Sequence, residues 1–292
     1  MIKRLCIIGV GLIGGSLARA LRDKQACEHV IGCSRDAGHL QRAKDLGVID
    51  EFTTDIAKAV RGADMIVLSV PLRAMPAVFS QIDQHVDKNA IITDVGSAKS
   101  SVELAARKGL KQAICQFVPG HPIAGTEKSG VEASFAELFI DRKIILTPLE
   151  ENSDEAVSKV TEMWQAAGAN VQNMSVAHHD EVLAATSHLP HVLAFGLVDT
   201  LSNMSDRDEI FQYAAGGFRD FTRIASSDPV MWRDICVENS AAIIKIMDCY
   251  IKDLEHLKQS IAAADLQTIE DLFTRAKAAR DRYTRLSSST SQ

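Results

Sequence analysis

A chain of 292 residues has room for about two domains, each large enough for its own core. Its 46% hydrophobic and 24% charged residues are those of an ordinary folded protein. The 38 acids against 32 bases, net −6, argue against a nucleic-acid partner, which would need a basic face. No apolar run approaches the ~18 residues of a membrane span, so no membrane partner is expected.

The N-terminal MIKRLCIIGVG has the charged start and apolar stretch of a signal peptide. That stretch is short and runs into glycines rather than a cleavage site, so it reads as the first strand of a cytoplasmic protein. Apolar runs at 4–10 (RLCIIGV), 29–34 (HVIGCS), 64–70 (DMIVLSV), 90–96 (AIITDVG), 114–118 (ICQFV) and 143–148 (KIILTP) predict strands. Helical patterns lie between several of them, at 14–24 and at 37–46, the latter stopped by Gly47. The strands alternate little, as expected where both sheet faces are covered. Alternating strand and helix predicts an α/β fold with a Rossmann-type, doubly wound parallel sheet. A helix at 153–167 and a strand at 169–175 are expected to complete that layer. After 175 the strand-like runs stop, and helices are predicted at 177–203, 206–215, 229–263 and 265–285. The expected domains are therefore 1–175 and 176–286, with SSSTSQ (287–292) a disordered tail. In 229–263, Ile243, Ile244, Ile246, Met247, Tyr250, Ile251, Leu254 and Leu257 recur at helical spacing. They predict a deeply packed helix, in the chain's own core or at a subunit interface. The six cysteines form no CxxC pair, and Cys6, Cys115 and Cys249 sit among apolar neighbours, so free buried thiols are expected.

Residues 9–14 read GVGLIG, directly after one predicted strand and directly before a helix, the context a dinucleotide fingerprint requires. Gly9 would make the tight turn, Gly11 would let the backbone approach a pyrophosphate, and Gly14 would let helix and strand pack closely. Leu12 and Ile13 complete this candidate cofactor loop, and the helix N-terminus offers free N–H groups to phosphate. The second strand should end with an acid if the cofactor is NAD+. It ends in Ser34-Arg35, with Asp36 one step on. A hydroxyl and a guanidinium lean toward the 2′-phosphate of NADP+, although Arg35 also reads as a surface charge and Asp36 as a helix cap. Ser69, Val70 and Pro71, at the exit of the third predicted strand, read either as the nicotinamide side of the site or as an ordinary strand end.

In VPGHPIAGTEKSG, a proline and a glycine stop a strand, and His121 then reads as displayed on a loop. An imidazole near its ordinary pKa in that position suits a general base. Ser97, in TDVGSAKS, lies on the carboxyl edge where doubly wound folds bind ligands; it could bond the imidazole or cap a helix at 98–108. GGFRDFTRIASSDP reads as an irregular stretch between helices. Arg223, among Phe221, Thr222 and Ile224, needs an anion there, either a substrate carboxylate or Asp220 or Asp228. His188 and His191 stand at i, i+3, but Pro190 disrupts the turn and no third ligand is evident, so no metal site is expected. His178 and His179 read as solvated residues at a helix start.

Taken together, GVGLIGGS, DVGSAKS, GHPIAGTEKSG, SHLPHVLAFGLVDTL and GGFRDFTRIASSDPVMWRDI resemble the prephenate/arogenate dehydrogenases of tyrosine biosynthesis, in order over residues 4–285. The resemblance implies oxidative decarboxylation of prephenate to 4-hydroxyphenylpyruvate, or of arogenate to tyrosine, with NAD+ or NADP+. It implies His121 as the base, Ser97 as the serine beside it, and Arg223 as the grip on a substrate carboxylate. It also implies His191, Gly216 and Trp232 along the pocket, Glu127 and Asp220 at its mouth, and a homodimer formed by the helical C-terminal domain. Two readings compete. A β-hydroxyacid dehydrogenase would rely on a lysine in the second domain, where no such motif stands, and a non-catalytic NAD-binding sensor would have no need of His121, Ser97 and Arg223 together.

Overall fold

The computed structural model describes residues 1–205 and 207–289. The strands expected at 4–10, 29–34, 64–70 and 90–96 form β1 (Ile2–Ile8), β2 (Cys27–Cys33), β4 (Met65–Leu68) and β5 (Ile91–Asp94). With β3 (Glu51–Thr53) and β6 (Phe117–Val118) they make one parallel sheet in the order β3-β2-β1-β4-β5-β6. That order reverses at β1/β4, the switch point where ligands meet the carboxyl edge of such sheets. β3 was not legible, because its three half-buried residues carry no periodicity. The helices α1 (Leu12–Asp23), α2 (Ala37–Asp45), α3 (Ile56–Val60), α4 (Met75–Ile82) and α5 (Lys99–Gly109) connect the strands and cover both faces. Of the strand expected at 114–118, only Phe117 and Val118 are extended; the first three residues form a 3-10 turn.

The later strands depart from expectation. β8 (Lys143–Leu146) and β9 (Asn170–Asn173) do not extend the doubly wound layer. They form a second sheet with β7 (Gly120–Pro122), antiparallel at β7/β8 and parallel at β8/β9, with α6 (Asp154–Ala166) between β8 and β9. Pro119, which has no N–H to donate, separates β6 from β7, and His121 then pairs with Ile145.

The helical region contains α7 (Val176–Leu183), a π turn (Ala184–His188), α8 (Leu189–Ser202), α9 (Arg207–Gln212), α10 (Gly216–Thr222), α11 (Pro229–Glu238), α12 (Ser240–Ala262) and α13 (Leu266–Ser289). Pro190 sits in the first turn of α8, and the π turn before it absorbs the carbonyl that the proline ring would otherwise strike. α7 through α8 is continuous enough to qualify, by length and mean hydropathy of 1.3 alone, as a bilayer-crossing helix. In this fold it is tied to α5 through Asp180. The segment expected as one helix at 229–263 breaks at Asn239 into α11 and α12. The stretch expected to be irregular around Gly216 is helical through Thr222 and continues as a 3-10 turn to Ser226. α13 runs to Ser289, into the expected tail, while residues 290–292 lie outside the described residues.

The chain divides into two compact units, Met1–Ser240 and Ala241–Gln292. The division falls later than the change of character at 175 because α7 packs on α5. On α12, Ile243 is buried, but Ile244, Ile251 and Leu254 are exposed in the single chain, so of the two expected packings the chain's own core does not cover this helix, which leaves the subunit interface. Cys6 and Cys33 are buried free thiols, whereas Cys115 and Cys249 are exposed, against expectation: one lies on the turn before β6 and the other on the open face of α12.

Candidate active site

The glycine turn after β1 has the geometry its spacing predicts. Gly9 adopts φ +97°, and a Cβ there would come within 2.2 Å of the Ser69 carbonyl oxygen. Ser69 and Val70 thus lie against the turn, on the same sheet edge. A Cβ on Gly14 would fall 2.5 Å from the Gly9 carbonyl oxygen, so only glycine lets α1 pack this closely on β1. The space over Gly11 is open, with nothing within 4 Å of its would-be Cβ. No side chain caps α1 and no acid stands in its first turn, which leaves the N–H groups of Leu12 and Ile13 and the positive helix end for an anion. These residues fit a dinucleotide pyrophosphate. At the end of β2, Ser34 Oγ donates to the Asp36 carbonyl at 3.2 Å and Arg35 is exposed. Asp36 is the cap of α2, its carboxylate accepting from His39 N–H at 3.1 Å.

His121 is not on a loop. It is the middle residue of β7 and only 8% exposed. Burial, with His179, Lys99 and His188 nearby, pushes its pKa well below the ordinary imidazole value, where a near-ordinary one was expected. Its Nδ1 lies 2.9 Å from Nε2 of His179, whose Nδ1 lies 2.8 Å from Asp180 Oδ1. His178 is exposed, as expected, but His179 is fully buried, because the fourth position of α7 faces β7. Asp180 accepts the Lys99 and Ser100 main-chain N–H groups at 2.8 Å each. It thereby caps α5 in place of Ser97, which is half-buried one residue before the cap position and makes no cap bond.

Beneath His121 lies a buried ion pair. Lys99 Nζ donates to Asp94 Oδ2 at 2.6 Å and to the Gly120 carbonyl at 2.7 Å, and both side chains of the pair are fully buried. Asp94 also accepts Gly96 N–H at 2.7 Å and Gly120 N–H at 3.1 Å. The end of β5 therefore holds the residue before the imidazole by its N–H, and the start of α5 holds it by its carbonyl.

His191 stacks on Trp232 at 3.5 Å, while its Nδ1 donates to the Ser187 carbonyl at 2.9 Å. His188 meets the edge of the same indole, and Asn239 Nδ2 bonds both His188 Nδ1 at 3.1 Å and the Asp180 carbonyl at 2.9 Å. Arg223, 63% exposed, pairs with Glu127 rather than with Asp220 or Asp228; the Asp228 side chain caps α11 instead. Glu127 follows His121 by six residues, so the guanidinium is tied to the segment that carries the imidazole. Among the described residues, no hydrogen bond links this pair directly to His121. Gly216 is exposed at the start of α10.

A family profile described as the nucleotide-binding domain of prephenate dehydrogenase matches residues 17–173, and one described as its dimerization domain matches 175–275. The chain is 42% identical over 282 residues to a cyclohexadienyl dehydrogenase of Zymomonas mobilis, covering 95% of each. It is 33% identical to a prephenate dehydrogenase of Bacillus subtilis over 95% of this chain and 75% of that one. The crystal structure of an Aquifex aeolicus prephenate dehydrogenase, in complex with hydroxyphenyl propionate and NAD+, superposes with a TM-score of 0.89 at 38% identity, covering 96% of this chain and 98% of that one. The chain belongs to the prephenate dehydrogenase family.

Within this family member, four residues packed around His121 carry no signal in the sequence that marks them as its neighbours: Asp94, Lys99, His179 and Asp180. The pair Asp94 and Lys99 lay in view in TDVGSAKS, but nothing in their spacing separates a structural ion pair from surface charges. The buried histidines have a measurable consequence. Burial lowers the pKa of His121, His179 and His188, that of His188 to about 4. In the unfolded chain these groups take up protons as pH falls through about 6.5, while the native imidazoles still resist, so acid favours unfolding. Stability is expected to be fully present above pH 6.5 and to fall steadily toward pH 4, with ~3 kcal/mol lost through His188 alone. Urea midpoints that stay flat between pH 7 and 4 would contradict this.

Proposed function

We propose that this chain is a homodimeric prephenate dehydrogenase, acting in the cytoplasm in tyrosine biosynthesis, with residues 176–286 as its substrate and dimerisation domain. The observation that carries the reading is a buried, neutral imidazole at the ligand-binding sheet edge, in a chain 42% identical to a cyclohexadienyl dehydrogenase over nearly its full length. Gly9, Gly11, Leu12, Ile13 and Gly14 hold the pyrophosphate, and Ser69, Val70 and Pro71 line the nicotinamide side. A bound nicotinamide would supply the hydride acceptor for C4 of the substrate ring. His121 accepts the proton of the 4-hydroxyl as that carbon becomes a carbonyl. The ring carboxylate leaves as CO₂, and the electrons of the broken C–C bond complete the aromatic ring and leave the oxygen as a phenolate, which then takes up a proton. Aromatisation makes the step effectively irreversible, so the protein mainly has to position its substrate. Ser97, half-buried on the same edge, orients the reacting hydroxyl. His191 and Trp232 form a flat wall for the ring, with Gly216 beside them, and Arg223 grips a carboxylate once it exchanges Glu127 for substrate.

The decisive experiment is a kinetic matrix of prephenate and arogenate with NAD+ and NADP+, read as the absorbance of reduced nicotinamide. Turnover of prephenate is expected, and no turnover of either cyclohexadienyl substrate would favour a non-catalytic NAD-binding protein. A solved arogenate dehydrogenase of Synechocystis, 27% identical with a TM-score of 0.81, makes arogenate the second substrate to test. Ser34 and Arg35 lean toward NADP+, since the one acid at this strand end, Asp36, is engaged as a helix cap. A higher kcat/KM with NAD+ would reverse that preference. Replacing Arg223 with Ala is expected to raise KM for substrate by roughly tenfold or more through loss of a charge-assisted bond, with a smaller effect on kcat; an unchanged KM would remove Arg223 from the binding site. Exposed Ile244, Ile251 and Leu254 on α12 and Phe273 on α13 supply apolar surface for a second copy, in keeping with the dimerization-domain match.

A further inference from the structure

We infer that His179 and Asp180 form a proton relay with His121 that dictates which nitrogen of His121 meets the substrate and carries off the positive charge after proton transfer. The inference rests on the reading of His121 as the base. The chain of contacts is His121 Nδ1 to His179 Nε2 at 2.9 Å and His179 Nδ1 to Asp180 Oδ1 at 2.8 Å. Asp180 is a carboxylate held down to about 2 by the His179 ring and by the two main-chain N–H groups at the start of α5, so it can only accept. His179 Nδ1 must therefore carry a hydrogen. Burial keeps His179 neutral, which leaves its Nε2 as an acceptor. His121 Nδ1 is then the donor, and the lone pair of His121 is confined to Nε2. Unconstrained imidazole distributes its proton over both nitrogens; here one tautomer is selected before substrate arrives.

The same contacts give the proton a destination. When Nε2 of His121 takes the substrate's hydroxyl proton, the Nδ1 proton crosses to Nε2 of His179. One proton enters, one moves on, and no electrons change hands. His121 returns to neutrality with its hydrogen on Nε2, and the charge rests on His179 in contact with Asp180. The surrounding charges favour that endpoint. Lys99 faces both imidazoles and His188 faces His121, and both oppose a positive charge there. Only His179 has carboxylates to offset them, Asp180 in contact and Asp94 farther off. The relay is also rigid, because Asp180 is fixed by α5 through its carboxylate and by Asn239 through its carbonyl.

The test compares the wild-type enzyme with Asp180→Asn and His121→Asn, each assayed with nicotinamide cofactor and prephenate across pH. Asp180→Asn is expected to lower kcat by about 10²-fold at nearly unchanged KM and cofactor Kd. Its acid limb should move to lower pH, since removing the anion makes the imidazole pair harder to protonate. Nitrogen-15 NMR of the histidine rings in the wild-type holoenzyme, which needs no variant to fold, is expected to show His121 as the Nδ1–H tautomer. An Nε2–H tautomer in the resting enzyme would overturn the relay. So would a wild-type kcat in Asp180→Asn, or a loss of kcat with an unmoved acid limb, which would leave Asp180 a scaffold only. Retained kcat in His121→Asn would instead remove the base itself, so the two failures are distinguishable.

Discussion

Replacing His121 with Asn is expected to lower kcat by about 10²–10⁴-fold while leaving cofactor Kd unchanged. Asparagine is close in size and can still donate a hydrogen bond to His179, so β7 and its pairing with β8 should survive. What it lacks is a nitrogen that can accept a proton, because an amide nitrogen is not basic. The glycine turn that would hold the cofactor lies at the end of β1 and makes no use of the imidazole. Loss confined to kcat, with an intact protein and intact cofactor binding, is therefore the signature of a missing base. A KM increase at unchanged kcat would recast His121 as a binding group, and retained kcat would place the base elsewhere.

Lys99→Met is expected to destabilise the protein by about 3–5 kcal/mol, measured as a lower urea midpoint. Methionine fills much the same volume, so the loss would reflect charge rather than a cavity. Lys99 and Asp94 are both fully buried, and among the described residues the ammonium is the only side-chain counter-charge within contact of the carboxylate. Without it, Asp94 keeps two main-chain N–H groups but remains an uncompensated buried charge. The Gly120 carbonyl also loses its Nζ–H donor, which loosens the strand that carries His121. The double variant Lys99→Met/Asp94→Asn should recover much of the loss, because it removes the stranded charge as well. An unchanged midpoint in the single variant would show that the pair contributes nothing to stability.

The glycine turn was legible because its demands are local. A strand, a positive φ at Gly9 and a close helix at Gly14 are requirements imposed within six residues. Arg223 was recognisable as a cation in need of an anion, yet its partner, Glu127, lies 96 positions away, beyond any periodic pattern. At Gly216-Gly217, two poor helix formers suggested irregular chain, at a cost of roughly 1 kcal/mol each; contacts of α10 with α8 override that preference. The strand at 143–148 read correctly as a strand but was assigned to the wrong sheet, since an apolar run does not specify its hydrogen-bonding neighbour.

Residue order alone determined the parallel cofactor fold, the candidate phosphate loop, the helical second half and the imidazole and guanidinium proposed for the chemistry. Tertiary structure alone decided that the imidazole is buried, that a second histidine and an aspartate stand behind it, and that a lysine salt bridge supports its strand. The physical reason is range. Backbone conformation and amphipathic period are set by neighbours a few residues apart. A pKa, a tautomer and a buried ion pair are set by whatever groups the fold brings within about 3 Å, here from segments 58 and 81 residues apart along the chain.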